Sequence, residues 1–338
     1  MSTTAEPVFD HLRHLTDELG LFEHAEFDRP RPEHGYCVDD AARALVVVLR
    51  EPAAGPALVQ LGSRYLTFTL AAVQPDGRCH NRMSPTGQWC DDPGLGDWWG
   101  RAGWGLGTAA ALAPSAAARA RASMGLRLLA QRRSPDLRGM AFAGLGAGEL
   151  LLRTPQDPTA RALLSEAADR LMSSTGSAAW PWPEPRLAYA NGVLPECLLL
   201  AGYLLRHDAA TSRGLELLAF LLEAETAEDH LSLTPVGGRG PDERGPGFDQ
   251  QPIEVASLAD ACARAVALTG DRTWSRGVDL ARRWFAGHND RRTPMYDPTT
   301  GAGYDGLNPL GCNLNQGAES TLAALSTLQH ARALGLAG

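Results

Sequence analysis

The acidic residues of this chain recur in short clusters with amides and aromatic rings. The clusters read His34-Gly-Tyr-Cys-Val-Asp-Asp40, Asp97-Trp-Trp-Gly-Arg101, Tyr189-Ala-Asn-Gly-Val-Leu-Pro-Glu196, Phe248-Asp-Gln-Gln-Pro-Ile-Glu254 and Asn313-Leu-Asn-Gln-Gly-Ala-Glu-Ser320. That mixture suits a pyranose, which offers hydroxyls to carboxylates and amides and an apolar C–H face to an indole. Cleavage at a sugar carbon needs two carboxyl groups on opposite sides of the bond, roughly 6.5–9.5 Å apart when the configuration inverts. Asp40, Asp97, Asp249 and Glu254 are the candidate acids, one from Asp249 or Glu254 and one from Asp40 or Asp97. The candidate substrate contacts are His34, Tyr36, Asp39, Trp98, Arg101, Trp182, Tyr189, Asn191, Gln250, Gln251, Asn315 and Glu319.

Helix capping competes with this reading, because Asp, Asn and Ser are preferred N-caps and acids in a first turn gain from the helix dipole. Capping accounts for a single Asp but not for the rings and amides crowded beside it. Within the Asp39-Asp40 pair an N-cap role suits Asp39, which leaves Asp40 to turn inward. Glu196 and Glu319 fall slightly deeper, where an Arg partner is a sufficient explanation.

Each cluster precedes a segment that is apolar nearly all round: Asp40–Arg50, Arg101–Leu112, Leu194–Leu205, Ile253–Leu268 and Ala318–Leu334, with Gly139–Leu152 as a sixth. Between them run amphipathic patterns at Phe9–Leu19, Pro56–Val73, Ser115–Gln131, Pro158–Met172, Ser212–Glu223 and Trp274–Ala286. Leu45–Leu49 alone would also read as a strand, but its place in the alternation makes it helix. Six inner helices sheathed by six outer ones form an (α/α)6 toroid, an all-α fold that occupies residues 1–338 as one domain. The Pro/Gly-rich stretches Pro75–Gly96, Trp180–Asn191, Thr234–Gln251 and Thr293–Asn315 lie just before inner helices and therefore on one face. The junction near Arg138 lacks a polar cluster, and the opposite helix ends read as bland.

Composition narrows the chemistry further. All 31 basic residues among the 338 are Arg, which excludes a Lys Schiff base and the Lys of a phosphate-binding P-loop. A net charge of −8 without a basic tail argues against nucleic acid and anionic membrane as partners. No run reaches the roughly 18 apolar residues of a membrane span, and no secretory leader is visible, so a cytoplasmic location is expected. Six cysteines in a chain of this size read as free thiols. Cys37, Cys79, His80 and Cys90 supply soft ligands, but their spacing matches no four-ligand zinc site, so neither a transition metal nor a cofactor is expected.

Taken in order, His34 to Leu45, Asp97 to Gly107, Phe248 to Glu254, Tyr296-Asp-Pro298 with Asp305-Gly-Leu307, and Asn315 to Leu322 resemble a largely uncharacterised bacterial family of (α/α)6 toroids. Its members are often fused to or encoded beside glycosyltransferases and mannoside-processing enzymes. The resemblance spans nearly the whole chain and implies the toroid fold and carbohydrate chemistry. Ala190 stands where the family pattern has an acid after the Tyr, and Trp98 where a His commonly follows the Asp, which leaves room for a specialised substrate.

The simplest function is an inverting glycoside hydrolase acting on a small or oligomeric saccharide. Phosphate in place of water is a variant that Arg101 and Arg239 would serve by holding the anion, and sugar epimerisation would use His34 or His230 as proton carrier. A non-catalytic glycan-binding toroid needs the same mouth with fewer acids. A terpene or prenyl enzyme needs a more aromatic pocket than 7% aromatic residues provide, and an Asp-x-Asp-Asp motif that is absent.

Overall fold

A computed structural model of the chain describes residues 7–52, 54–174 and 176–336. Twelve α-helices run through them: α1 (Asp10–His14), α2 (Val38–Arg50), α3 (Pro56–Ala72), α4 (Asp97–Leu112), α5 (Ala116–Leu129), α6 (Leu137–Arg153), α7 (Pro158–Ser173), α8 (Val193–Leu205), α9 (Asp208–Ala224), α10 (Pro252–Thr269), α11 (Ser275–Phe285) and α12 (Ala318–Ala333). The even-numbered helices pack in sequence from α2 to α12, and α12 packs back on α2 to close the ring. The odd-numbered helices lie outside it. Leu45–Leu49 is helical.

Inner helices read as apolar throughout because they are shielded on every side. From Trp99 to Ala111 every residue of α4 is buried, as is every residue of α8 from Val193 to Gly202. Glycine sets the closest approach, between α4 and α6. A Cβ on Gly107 would fall 1.9 Å from the Gly146 carbonyl oxygen, and one on Gly146 would fall 2.0 Å from that of Gly103. The backbones therefore touch, which a side chain at either position would prevent.

The first outer helix is shorter than the expected Phe9–Leu19. It ends at His14, and Asp17 Oδ1 then accepts from the amides of Leu19 and Gly20, so a local side-chain-to-backbone turn replaces the last helical turns. The long segments before the inner helices carry short antiparallel ladders, among them Tyr36–Cys37 with Arg82–Met83 and Gly306–Asn308 with Gly311–Asn313. The first ties two distant loops together and the second folds one loop back on itself as a hairpin.

The other end is not bland, contrary to the sequence reading. Arg50 reaches Asp260 at 2.8 Å, and Asp260 Oδ1 also meets His330 at 2.5 Å and Ser326 at 3.1 Å. Arg264 bridges Glu149 and Glu196. Arg50, Glu149, Arg264 and His330 lie toward the C-terminal ends of their helices, so charge is placed inside the ring and neutralised there. Among the described residues no helix is long and apolar enough to cross a membrane.

Candidate active site

The chain enters α2 from the Tyr36–Cys37 ladder, and Cys37, not Asp39, caps the helix. Its sulfur accepts from the Asp40 amide at 3.4 Å, and its thiol donates to Asp40 Oδ2 at 3.1 Å. Asp39 is thereby released to accept from Arg101 Nη1 at 2.6 Å and Asn81 Nδ2 at 3.1 Å. Asp40, only 3% exposed, takes Arg43 at 2.7 Å, and Arg43 reaches on to Glu319 at the start of α12, also at 2.7 Å.

Two adjacent carboxyls are thus driven in opposite directions. Burial pushes Asp40 up to about 7; Arg43 opposes this, while the Glu319 and Glu23 carboxylates reinforce it. Burial also works against ionisation of Asp39, but Arg101 and Arg43 outweigh it and hold the group below the usual aspartate range. Near neutrality, Asp40 keeps a substantial protonated fraction beside an ionised Asp39.

Asp97, the first residue of α4, accepts from the Tyr189 hydroxyl, and burial raises its pKa against the pull of Arg101. The Arg101 guanidinium lies 4.7 Å from the Phe142 ring centre and 5.4 Å from that of Tyr189. Trp98 donates its indole N–H to the Cys79 carbonyl at 2.8 Å. The junction near Arg138 is polar after all. Arg138 forks onto Glu184 at 2.6 and 2.7 Å and donates to the Tyr189 carbonyl at 2.5 Å, which fixes the loop that presents Tyr189.

A cavity of about 580 Å³ opens at this mouth. Of the residues singled out from sequence, Asp39, Asp40, Asp97, Trp98, Arg101, Tyr189, Gln251 and Glu319 line it. They are joined by Arg43, Asp305, Asn313 and Ser320, and by Glu23, His24 and Asn81, which sequence reasoning missed. Those three come from irregular segments with no periodicity to place them. Glu23, Cys37 and Asp40 offer ligand atoms within 4.8 Å of one another, but Arg82 and Arg43 already neutralise the two acids.

The other candidates lie elsewhere. Glu254 turns from the first turn of α10 to the neighbouring loop, where it accepts from the Ala190 amide at 2.5 Å and from Asn191 N and Nδ2 at 3.3 and 3.0 Å. It holds the turn at Ala190, whose φ is +46°, and burial beside Glu225 pushes it up to about 8. Asn191 is its partner there. Asp249 is exposed and lines an adjoining cavity of about 460 Å³ with Asn315, which shares Gln251, Asp305 and Asn313 with the first.

Gln250 is fully buried and donates to Asp290 at 2.6 Å, and Trp182 is fully buried against Phe220. Tyr36 packs on Phe22 and donates to Asp17 at 2.7 Å. His34 is exposed at the rim, edge-on to His24. His230 pairs with Asp290 at 2.9 Å, and Arg239 spends its donors on the carbonyls of Ala224, Ser232 and Leu233. Arg239 therefore does not join Arg101 at an anion. Cys79 is buried and Cys90 exposed, with His80 stacked on Trp89 at 5.1 Å.

No protein-family model matches the chain, and no curated protein is similar to it. Solved structures are similar in fold. A sugar epimerase from a ruminal bacterium superposes with a TM-score of 0.73 at 10% identity, over 97% of each chain. Cellobiose 2-epimerase from Bacillus thermoamylovorans gives 0.71 at 10% identity over 95% of this chain and 96% of its own. An α-1,6-mannanase of Salegentibacter, an inactive variant with two consecutive aspartates changed to alanine and bound to α-1,6-mannotetrose, gives 0.67 at 10% identity over 95% of each chain. With these likenesses and its closed ring of paired helices, the chain is an (α/α)6 toroid.

Proposed function

We propose that the chain is a carbohydrate-active enzyme that hydrolyses a glycosidic bond, with Asp40 as proton donor and Asp39 as the ionised carboxylate. The observation that carries this reading is the split between the two neighbours: one acid buried and still partly protonated near pH 7, the other clamped by Arg101 and Asn81. Groups whose surroundings drive their pKa values apart are suited to opposite roles in one reaction. Asp40 protonates the leaving oxygen, and ionised Asp39 assists attack at the sugar carbon, as base to a water or as nucleophile. Asp97, Glu319, Asn81 and Gln251 meet the sugar hydroxyls, and Trp98 supplies apolar surface. The Salegentibacter mannanase variant with two consecutive aspartates replaced is inactive, and a consecutive aspartate pair at this chain's cavity is in keeping with the reading.

Epimerisation or isomerisation of a sugar is the second reading. It is favoured by the overlap with a sugar epimerase and by His24, which stands in the same cavity as Asp40 and offers a second proton carrier. One experiment separates the two. The wild-type protein, Asp39→Asn and Asp40→Asn are incubated in D2O with α-1,6-mannotetraose, simple α- and β-mannosides and cellobiose, and the products are read by NMR. Hydrolysis gives new reducing ends, lost by about 10²-fold or more in both variants. Epimerisation gives deuterium at C2 of the reducing sugar without chain cleavage. Saccharide binding with neither product overturns the enzyme reading in favour of a glycan-binding toroid.

A further inference from the structure

A second cavity on the mouth face, of about 610 Å³, lies beside α9 and between the loops that lead into α8 and α10. Its walls are built rather than incidental. Trp180 is fixed by its indole N–H on the Glu184 carbonyl at 2.8 Å and meets Phe220 edge to face at 5.2 Å. Across from them, the segment from Gly240 to Pro246 is tied back by Arg186, which forks onto Glu243 at 2.7 and 2.8 Å. Ser232, 4% exposed, lines the cavity with a hydroxyl that has no hydrogen-bond partner in the protein. A buried hydroxyl left unpaired is costly unless a ligand or water meets it.

The charges around this cavity are matched or spent. Glu243 belongs to Arg186, Arg239 to backbone carbonyls and Asp290 to His230 and Gln250. Exposed Glu223 and Arg244 remain at the rim, one of each sign. Such a site gives no preference to a charged ligand. It offers rigid aromatic surface, a carboxylate, a guanidinium and a hydroxyl, which are the groups that a neutral pyranose uses.

We infer that this cavity is a second saccharide site, one that holds a sugar unit of the chain whose reacting unit sits among Asp39, Asp40 and Asp97. The link is the segment 180–191, since Trp180 lines this cavity and Tyr189 lines the first. Glu184 between them accepts from both Trp180 and Arg138. The inference shares with the proposed function the reading that the ligand is a carbohydrate, but it does not depend on turnover.

The test titrates α-1,6-mannotetraose and cellotetraose, by calorimetry, into Asp40→Asn protein, which holds the ligand without consuming it, and into the same protein carrying Trp180→Ala or Ser232→Ala. At least one saccharide binds, and Trp180→Ala weakens it about tenfold, the effect of losing one aromatic anchor. Ser232→Ala weakens it by a smaller factor. Circular dichroism confirms that each variant is folded. In otherwise wild-type protein, Trp180→Ala leaves turnover of a disaccharide unchanged and raises KM for the tetrasaccharide. Binding dependent on Trp180 without turnover by wild type would sink the proposed function and keep the second site. Equal binding by the folded Trp180→Ala protein, or no binding of either saccharide, overturns the second site.

Discussion

The two ends of the ring hold comparable numbers of charged groups and use them differently. Deeper in the ring, toward its other end, Glu149, Glu196 and Asp260 face Arg50, Arg264 and His330, and each of these acids touches a base. Burial would push Asp260 up, but Arg50 and His330 hold it well below the usual carboxylate range. At the mouth, Glu23, Asp39, Asp40, Asp97, Asp305 and Glu319 surround Arg43 and Arg101. Burial, reinforced by Glu319 and Glu23, raises the Asp40 pKa against the pull of Arg43, while Arg101 and Arg43 lower that of Asp39. Burial pushes Glu196 of the deeper network up to about 7 as well, so what sets Asp40 apart is not its raised pKa alone but that it lines an open cavity.

The largest expected difference is in rate. Asp40→Asn should lower turnover by about 10²–10⁴-fold with little change in melting temperature, whereas Asp260→Asn should leave turnover per folded molecule unchanged. Equal rate losses at the two ends would dissolve the comparison. Stability should show the converse. Asp260→Asn leaves Arg50 and His330 facing a neutral amide and should cost about 3–5 kcal/mol in denaturant unfolding. A cost below about 1 kcal/mol would mean the deeper network is not held by its ion pairs.

Glu254→Gln sharpens the boundary of the mouth. An amide cannot accept from all three N–H groups of Ala190 and Asn191, so the variant should lose about 1–3 kcal/mol. Turnover should fall far less than in Asp40→Asn, because Glu254 lies outside the cavity. The smallest effect is in the pH dependence. Between about pH 4 and about pH 7 native Asp40 keeps a proton that the unfolded chain has released, so its contribution to stability falls as pH rises, by up to roughly 1.4 kcal/mol per unit. Asp260 acts in the opposite sense, its contribution being lost as pH falls below the ordinary carboxylate range. Asp40→Asn should therefore flatten the decline toward neutral pH, and Asp260→Asn the decline into acid, in unfolding curves measured across that range.

The contrast between the ends also marks what the sequence could reveal. Helix order, the ring and the face on which the long loops gather were legible, because burial on all sides leaves an apolar run and exposure on one side leaves a 3.6-residue period. Asp39, Asp40, Asp97 and Glu319 were legible as mouth residues because they stand at the starts of such runs. Glu254 begins a helix as well, yet its carboxylate serves the neighbouring loop, and side-chain direction is set by that loop's path rather than by spacing. Glu23, His24 and Asn81 arrive on loops folded by ladders between distant segments. The deeper network was hidden because Glu149, Asp260, Arg264 and His330 are single charges within long apolar helices, and only the assembled ring shows that they meet.

¹³C NMR of the carboxyl carbons, assigned with Asp39→Asn and Asp40→Asn, tests without any substrate whether the two adjacent aspartates titrate far apart. Asp40 should titrate at about 7 and Asp39 below the usual aspartate value of about 3.9. Two midpoints together near the ordinary carboxylate range would show that the mouth holds no poised proton and would contradict the account.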